Sequence, residues 1–329
     1  MKVVFTEAPE TCQRDMSLEK SICPQGTEFG VAVFDEKNEH NEEFYREISD
    51  ADIIINGYVY LGKKELDAMQ KCRVISFQST GYNEVDLEYA TERGIAVVSI
   101  EDYCTQETAE NTIALMLCLQ RGLLIYNKSV QIDKEWIYDK AKNLKRIEGQ
   151  TMGIIGLGRI GRSVAKKAHG LDMNVIAYDP YLPESVAEAC GVKLVDIDTL
   201  LAESDVISVN ANLTADNVHF LNKEKFMKCK KQPIIINEGR GAIISEVDLA
   251  WALDQGLVRA AGLDMLESEF PDLNNCPLMG RENVLITPHA GFYSDTSMEL
   301  LLRLSTENAL HYYNGEYDKV ATLRNNVLK

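Results

Sequence analysis

The sequence predicts an α/β protein with two domains, each built on a parallel β-sheet. Short β-branched runs alternate with amphipathic segments along the whole chain, a pattern typical of successive β–α units. The length of 329 residues is enough for about two domains of roughly 150 residues each. A long helical segment separates an earlier series of such units from a later one, which indicates where one domain passes into the next.

The earlier series begins at the N-terminus and ends at that long helix. Its predicted strands are the apolar runs at residues 3–5, 53–55, 74–77 and 96–98. The helix, Glu107 to Leu124, carries an apolar stripe and is too long for a crossover within a compact sheet. We therefore interpret it as the bridge into the second domain.

The later series predicts six strands and then a helix that returns to the first domain. The strands are at 152–156, 174–178, 205–209, 233–237, 259–263 and 283–287, with helices at 159–170, 222–228 and 246–255. A last helix, 295–313, has no further strand to feed. We therefore expect a discontinuous domain, 1–101 with 292–329, and a second domain at 102–291.

Composition and charge exclude several classes of function. The chain has 34 Lys and Arg against 51 Asp and Glu, a net charge of −17 that repels nucleic acid and anionic membranes. The longest apolar stretch, Ile113 to Leu119, is too short to span a bilayer, and the polar opening lacks the core of a secretion signal. Eight scattered cysteines without a C-x-x-C pair indicate reduced thiols and no metal site. We expect a cytoplasmic protein.

A glycine-rich turn follows the first strand of the second domain. Gly156, Gly158 and Gly161 form G-x-G-x-x-G between an apolar strand and a helix. The first glycine permits a tight turn, the second admits a pyrophosphate to the backbone, and the third lets helix and strand pack closely. In this context the motif predicts a Rossmann-type dinucleotide-binding domain.

An acidic residue stands where such a domain reads the ribose. Asp179 ends the next strand, 18 residues after Gly161, close to the spacing of about 20 that the fold uses. A carboxylate there accepts hydrogen bonds from the ribose hydroxyls and repels a 2′-phosphate, which favours NAD over NADP. The alternative is an ordinary turn aspartate before Pro180.

Three further charged or titratable residues follow strands of the same predicted sheet. Arg240 comes after strand 233–237 and offers a planar guanidinium to a carboxylate, although it could be a surface arginine in a glycine turn. Glu269 is one of three acids after the next strand, and His289 ends the last one. A single histidine is more often structural, but all three lie on the side where ligands of such sheets bind. Their convergence favours a catalytic role.

These motifs, in this order, resemble those of the D-isomer-specific 2-hydroxyacid dehydrogenase family over essentially the whole chain. The residues that carry the resemblance are the glycine turn, Asp179, Asn237-x-x-Arg240-Gly241, Asp264-x-x-x-x-Glu269 and Thr287-Pro288-His289. The resemblance implies two Rossmann-like domains, a doubly wound parallel sheet that binds NAD and a smaller flavodoxin-like domain that binds substrate. It also implies Arg240, Glu269 and His289 as the catalytic residues.

The resemblance further implies which residues contact ligands. NAD contacts are expected from Thr80, Thr108, Gly156, Gly158, Arg159, Ile160, Gly161, Asp179, Pro180, Tyr181, Ala211, Asn212, Thr214, Asn217, Glu238, Gly239, Arg240, Asp264, His289 and Gly291. Of these, Asp264 is the partner of the nicotinamide carboxamide. Substrate contacts are expected from Ser79, Thr80, Gly81, Tyr103, Arg240, His289 and Phe292.

Within the family the chain is most similar to the C-terminal-binding-protein branch, with departures. Phe292 stands where that branch carries tryptophan, and Tyr103 matches a tyrosine of the lactate dehydrogenase branch. Glu238 and Gly239 replace a small polar residue and an alanine, which adds a carboxylate on the nicotinamide side. Glu238 could alter cofactor affinity or contact a cationic substrate group, and the sequence leaves both open.

The expected function is an NAD-dependent oxidoreductase that interconverts a 2-oxo acid and a D-2-hydroxy acid, acting as a homodimer. The substrate side chain stays open among pyruvate, hydroxypyruvate, glyoxylate, and branched or aromatic 2-oxo acids. One alternative is an NAD(H)-sensing interaction protein of corepressor type, which the intact catalytic trio disfavours. A dehydrogenase for a phosphorylated substrate is also less favoured, because no extra basic cluster is evident.

Overall fold

The computed structural model describes residues 1–34 and 40–327 of the chain. It divides into two compact units. The first unit comprises Met1–Tyr103 and Ser294–Lys329, and the second comprises Cys104–Tyr293. Each unit contains one β-sheet in which every pairing is parallel.

The first unit is built on a five-stranded sheet in the order β2-β1-β3-β4-β5. That strand order is the flavodoxin-like one. Its elements are β1 (Lys2–Glu7), α1 (Ser17–Ile22), β2 (Glu28–Val33), α2 (Glu42–Ser49), β3 (Ile53–Asn56), α3 (Lys63–Ala68), β4 (Val74–Phe77), α4 (Leu87–Glu92) and β5 (Ala96–Val98).

The second unit is built on a seven-stranded sheet in the order β12-β11-β10-β9-β6-β7-β8. The order reverses at β6, as in doubly wound dinucleotide-binding folds. Its elements are α5 (Thr105–Gln120), α6 (Leu123–Gln131), β6 (Thr151–Ile155), α7 (Arg159–His169), β7 (Asn174–Tyr178), α8 (Glu184–Ala189), β8 (Lys193–Leu194), α9 (Ile197–Glu203), β9 (Val206–Val209), α10 (Lys223–Phe226), β10 (Ile234–Asn237), α11 (Glu246–Asp254), β11 (Ala260–Leu263) and β12 (Val284–Ile286).

The chain then returns to the first unit through α12 (Asp295–Tyr313), which packs on β3 and β4. Ser294 caps this helix, its side chain accepting a hydrogen bond from the N–H of Ser297. The Ser76 hydroxyl of β4 in turn donates to the carbonyl of Ser305. The predicted return helix therefore forms and covers one face of the smaller sheet.

The central strands are continuous apolar runs because both faces of each parallel sheet are covered by helices. β3 and β10 both read Ile-Ile-Ile-Asn, and all eight residues are buried. A strand with one face exposed to solvent would instead alternate apolar and polar residues. These sheets confirm the predicted fold class of two parallel α/β domains.

Three elements differ from the sequence prediction. The predicted helix 107–124 is two helices, because Gly122 adopts φ +61° and ends the first of them. Strand β2 lies at an edge, and its half-exposed residues lack the buried pattern used to find strands. The two-residue β8 is too short to produce a pattern, so the second sheet has seven strands rather than six.

Within the described ranges, no helix combines the length and the apolarity that crossing a lipid bilayer requires.

Candidate active site

The glycine-rich turn joins β6 to α7 and is shaped by close backbone packing. Gly156 has φ +87°, a left-handed conformation that glycine adopts without strain. A Cβ atom on Gly161 would lie 2.2 Å from the carbonyl oxygen of Gly156, so helix and turn fit together only because that residue has no side chain. A Cβ on Gly158 would meet nothing within 4 Å. The turn therefore presents an open backbone face beside the N-terminus of α7.

Asp179 ends β7 beside this turn. One carboxylate oxygen accepts a hydrogen bond from the N–H of Leu157 at 2.9 Å, and the other accepts one from Tyr181 at 3.1 Å. A carboxylate has about four acceptor positions, so two are left for hydroxyl groups of a ligand. Pro180 and Tyr181 follow as an exposed turn.

The segment after β9 passes between two glycines. A Cβ on Gly156 would lie 2.9 Å from the Ala211 backbone, and a Cβ on Gly239 would lie 2.8 Å from the carbonyl oxygen of Ala211. Farther along, Asn217 closes the loop on itself, accepting from the N–H of Thr214 and donating to the carbonyl of Asn212. The Asn217 side chain is therefore engaged within the loop.

Glu269 and His289 form a hydrogen-bonded pair at the carboxyl end of the sheet. The imidazole Nδ1 lies 2.9 Å from a carboxylate oxygen of Glu269. The hydrogen bond from His289 and, more weakly, the charge of Arg240 lower the pKa of Glu269, although burial opposes them. Two of the residues that the sequence analysis proposed as catalytic, His289 and Arg240, thus act electrostatically on the third, Glu269.

Backbone and side-chain contacts fix the positions of His289 and Arg240. His289 has φ +50°, which is uncommon for a residue with a side chain, and its N–H donates to the carbonyl of Asp264 at 2.9 Å. The Phe292 ring lies edge-on to the imidazole, with centroids 6.0 Å apart. Nη1 of Arg240 donates to the carbonyl of Gly239 at 2.9 Å, which orients the guanidinium.

Asp264 organises the loop that carries His289. Its buried carboxylate accepts hydrogen bonds from the hydroxyl of Thr287 and from the N–H groups of Ala290 and Gly291, the latter two at 2.9 and 2.7 Å. Three of its roughly four acceptor positions are thereby used, and one is left for the amide donor that the family resemblance implies.

Glu238, the unexpected carboxylate, is buried beside Asp264. One oxygen accepts a hydrogen bond from the Asn111 side chain of α5 at 2.8 Å. Burial, with a smaller contribution from the charge of Asp264, raises the pKa of Glu238 to about 9. Sequence reasoning missed Asn111, because its partner lies 127 residues away and no local pattern connects them.

A second histidine–glutamate pair occurs in the same unit. His219 Nε2 lies 3.1 Å from one carboxylate oxygen of Glu267, and the other oxygen accepts a hydrogen bond from the N–H of Glu246. Both side chains are partly exposed, and Glu267 is one of the three acids that follow β11. The spacing of acids alone does not distinguish this pair from that of His289 and Glu269.

The remaining candidates lie elsewhere in the chain. Ser79, Thr80 and Gly81 follow β4 in the first unit, and the Ser79 hydroxyl donates to the carbonyl of Gly81 at 2.8 Å. Tyr103 ends the same segment of that unit. Thr108 is buried within α5 of the second unit, and its carbonyl accepts from the hydroxyl of Thr112.

The residues at the carboxyl edge of the larger sheet suit a dinucleotide. The open face at Gly158, the N-terminus of α7, which has no side-chain cap, and the carboxylate of Asp179 match pyrophosphate and ribose. Fold and site together define a Rossmann-type dinucleotide-binding protein with a histidine–carboxylate pair at its sheet edge.

Comparison with known proteins identifies the family. Residues 113–291 match the model of the D-isomer specific 2-hydroxyacid dehydrogenase, NAD binding domain. The chain belongs to the D-isomer specific 2-hydroxyacid dehydrogenase family, and its second unit carries the family's NAD-binding domain.

Two relatives and one solved structure illustrate the range of similarity. A D-3-phosphoglycerate dehydrogenase of Archaeoglobus fulgidus is 40% identical over 75% of this chain, but the match covers 47% of that protein. A hydroxypyruvate reductase of Blautia hydrogenotrophica is 35% identical over 83% of this chain and 86% of its own. A D-lactate dehydrogenase of Aquifex aeolicus, solved with NAD and lactic acid, has a TM-score of 0.82 at 25% identity and covers 98% of both chains. The chain thus spans about half the length of the first of these relatives.

Proposed function

We propose that this protein is an NAD-dependent oxidoreductase that interconverts a 2-oxo acid and a D-2-hydroxy acid. The observation that carries the proposal is the hydrogen-bonded pair of His289 and Glu269, with Arg240 acting on the same carboxylate at the carboxyl edge of a dinucleotide-binding sheet. The relatives named as reductases and dehydrogenases of hydroxy acids support the same reaction class. The D configuration of the product follows from family membership.

The reaction is 2-oxo acid + NADH + H⁺ ⇌ D-2-hydroxy acid + NAD⁺. The glycine turn, Asp179 and Asp264 would hold the cofactor, which supplies the hydride. Arg240 binds the substrate carboxylate through its planar guanidinium. His289 in its protonated form donates a proton to the carbonyl oxygen, and it accepts that proton in the reverse direction.

Glu269 keeps the imidazole in the state and orientation that this role requires. Its carboxylate accepts the Nδ1 hydrogen, which leaves Nε2 to face a substrate, and its negative charge favours the protonated ring. The low pKa of Glu269 means that this charge persists through the neutral range. The three side chains therefore supply a charge anchor, a proton donor and the group that orients the donor.

A substrate panel tests the proposal. Loss of NADH absorbance is measured with pyruvate, hydroxypyruvate, glyoxylate, branched and aromatic 2-oxo acids, and with 3-phosphoglycerate in the oxidative direction. The phosphorylated compound is included because one relative is named for it. We expect turnover of at least one 2-oxo acid with NADH and weaker turnover with NADPH, since Asp179 repels a 2′-phosphate. NAD-dependent oligomerisation without turnover of any compound would instead support a sensing protein.

We also propose that the protein is a homodimer that buries an apolar surface of the second unit. On α6 and the segment after it, Trp136 and Tyr138 are 90% and 92% exposed, and five further apolar side chains are partly exposed: Leu123, Leu124, Val130, Ile132 and Ile137. So many exposed apolar side chains within 16 residues are unusual on a monomer, and a twofold dimer would cover them with its own copy.

Light scattering tests the dimer. The wild-type chain should run at twice its chain mass, and a double change of Trp136→Glu and Tyr138→Lys should shift it to a single chain mass. Val247→Lys serves as the control, since Val247 is an exposed apolar residue on α11. Wild-type protein that runs as one chain at micromolar concentration would contradict this assembly.

A cytoplasmic location is the last part of the proposal. None of the eight cysteines, all of which lie within the described ranges, forms a disulfide bond. Free thiols are typical of a reducing compartment. Fractionation of the native source should recover the protein with cytoplasmic markers, and recovery from an oxidising compartment would contradict the proposal.

A further inference from the structure

Glu238 is a buried carboxyl group that is only half satisfied. It follows β10 directly, and 6% of its surface is exposed. Its Oε1 atom accepts the hydrogen bond from Asn111, while Oε2 is buried and makes no hydrogen bond to any of the described residues. An ionised carboxylate with an unbonded oxygen in such a place is costly, whereas a protonated acid is much less so.

A second carboxylate, that of Asp264, lies close to the unbonded oxygen of Glu238. A Cβ atom on Gly291 would lie 2.2 Å from Oε2 of Glu238 and 2.9 Å from Oδ2 of Asp264, so both oxygens face the bare α-carbon of that glycine. Asp264 accepts three hydrogen bonds that suit an ionised carboxylate. Its negative charge and the burial together raise the pKa of Glu238 to about 9, so Glu238 is neutral at pH 7.

The charged groups around Glu238 do not compensate its ionisation. α5 contributes the neutral amide of Asn111, and the end of β11 contributes the like charge of Asp264. The nearest cationic side chains along the chain and on the neighbouring loop, Arg240 and His289, act instead on Glu269. A new positive charge at this edge of the sheet would therefore favour the ionised form of Glu238.

A dinucleotide bound to this fold would bring a positive charge to this edge of the sheet. The glycine turn after β6 and Asp179 after β7 mark the adenosine half of a dinucleotide site, so its other half lies over the tips of β9 to β11. Glu238 is at the tip of β10. The nicotinamide ring carries one positive charge when oxidised and none when reduced.

We propose that Glu238 couples the redox state of the cofactor to a proton. When NAD⁺ binds, the O–H bond of the Glu238 carboxylic acid breaks, the electron pair stays on the carboxylate opposite the positively charged ring, and the proton passes to solvent. When NADH binds, Glu238 keeps its proton. The inference rests on the proposed function, because it requires the nicotinamide to occupy this half of the sheet edge.

The sign of the effect follows from linkage. Because NAD⁺ favours the ionised form, its affinity should rise with pH below about 9 and level off above it, by at most about tenfold per pH unit. The affinity for NADH gains nothing from this group. Glu238 therefore favours the oxidised cofactor, by an amount that increases as pH rises towards about 9.

Binding measurements test the coupling without turnover. NADH is titrated by its fluorescence and NAD⁺ by competition, at pH 7, 8 and 9, with the wild type, Glu238→Gln and Glu282→Gln. The glutamine keeps the oxygen that Asn111 bonds, and Glu282 is an exposed carboxylate of the same unit that pairs with Lys128. We expect the NAD⁺ affinity relative to NADH to rise several-fold from pH 7 to pH 9 in the wild type and in Glu282→Gln. In Glu238→Gln it should rise much less.

His289 requires its own control, because a protonated imidazole repelled by NAD⁺ would release a proton with the same sign. His289→Asn should retain the rise above pH 8. Proton release into weakly buffered solution with a pH indicator gives a second readout, and NAD⁺ should release more protons than NADH at pH 8 in the wild type and in His289→Asn. Equal release by the two cofactors, or an unchanged pH dependence in Glu238→Gln, would overturn the coupling.

The outcomes separate the two proposals. Coupling without turnover of any 2-oxo acid would overturn the proposed reaction and leave the inference standing. Turnover with NADH but without coupling would support the proposed reaction and overturn the inference. Failure of both cofactors to bind would overturn both.

Discussion

In the proposed reaction, the acid–base chemistry of the second unit depends on one histidine. His289 is held in a left-handed backbone conformation by the Asp264 carbonyl, and its ring is held by Glu269. His219 has a similar partner at a similar distance but was not among the predicted site residues. Local geometry alone does not distinguish the two histidines, and we propose His289 as catalytic because it follows β12 at the carboxyl edge of the sheet.

Replacing His289 tests that distinction. His289→Ala should lower kcat for 2-oxo acid reduction by roughly 10² to 10⁴-fold, because proton donation in the transition state is lost. The NADH dissociation constant should change little by comparison. His219→Ala is the matched control and should retain most of the activity. Equal losses in both variants would argue against His289 as the proton donor.

Glu269 should set the pH range of the reaction. Its negative charge favours the protonated imidazole, so reduction fades as pH rises and oxidation gains. In Glu269→Gln the decline of the reduction rate should begin at lower pH, because the negative charge beside the imidazole is gone. The measurement is kcat against pH with saturating substrate, and Glu267→Gln is the control. A reduction rate that stays flat into the alkaline range in the wild type would count against this assignment.

At the scale of elements, two glycines of the turn are explained by different requirements, one by the fold and one by a ligand. Gly161 is required by the fold, since its missing side chain lets α7 approach the Gly156 carbonyl. Gly158 has open space around it, so the folded chain alone does not require it. The second glycine is explained by a ligand that approaches the backbone.

Alanine substitutions should separate these two roles. Gly161→Ala should destabilise the second unit by about 2 kcal/mol or more, since a Cβ would overlap a backbone oxygen that cannot move aside easily. Gly158→Ala should leave the thermal midpoint nearly unchanged and weaken NADH binding by at least about tenfold. The measurements are thermal unfolding without cofactor and NADH titration. Loss of stability in Gly158→Ala together with normal binding would contradict this division.

The elements also show what the sequence could and could not predict. The glycine turn and the strands of Ile-Ile-Ile-Asn type were predicted because each signal is local and strong. The break at Gly122 was missed, because an apolar stripe continues through it and only its φ of +61° ends the helix. Asn111 was missed for a different reason, since its role arises from a contact across 127 residues.

At the scale of the whole molecule, burial of Glu238 makes folding stability depend on pH. The pKa of Glu238 rises from 4.5 to about 9 on folding, so the folded chain keeps a proton that the unfolded chain loses between these values. The unfolded state then binds fewer protons, and stability falls as pH rises from about 4.5 towards 9. At about 1.4 kcal/mol per pH unit, the loss of folding stability reaches about 4 kcal/mol near pH 7.5.

Glu238→Gln should remove this dependence, because glutamine is neutral at every pH and retains the bond to Asn111. Its thermal midpoint should match that of the wild type near pH 5 and exceed it by several degrees at pH 8, with the gap widening steadily between. Thermal unfolding followed by circular dichroism over this range measures the gap, and Glu282→Gln should track the wild type throughout. A gap that is the same at pH 5 and pH 8 would mean that Glu238 is already ionised in the folded chain at neutral pH, since only a group that titrates differently in the two states can change stability with pH.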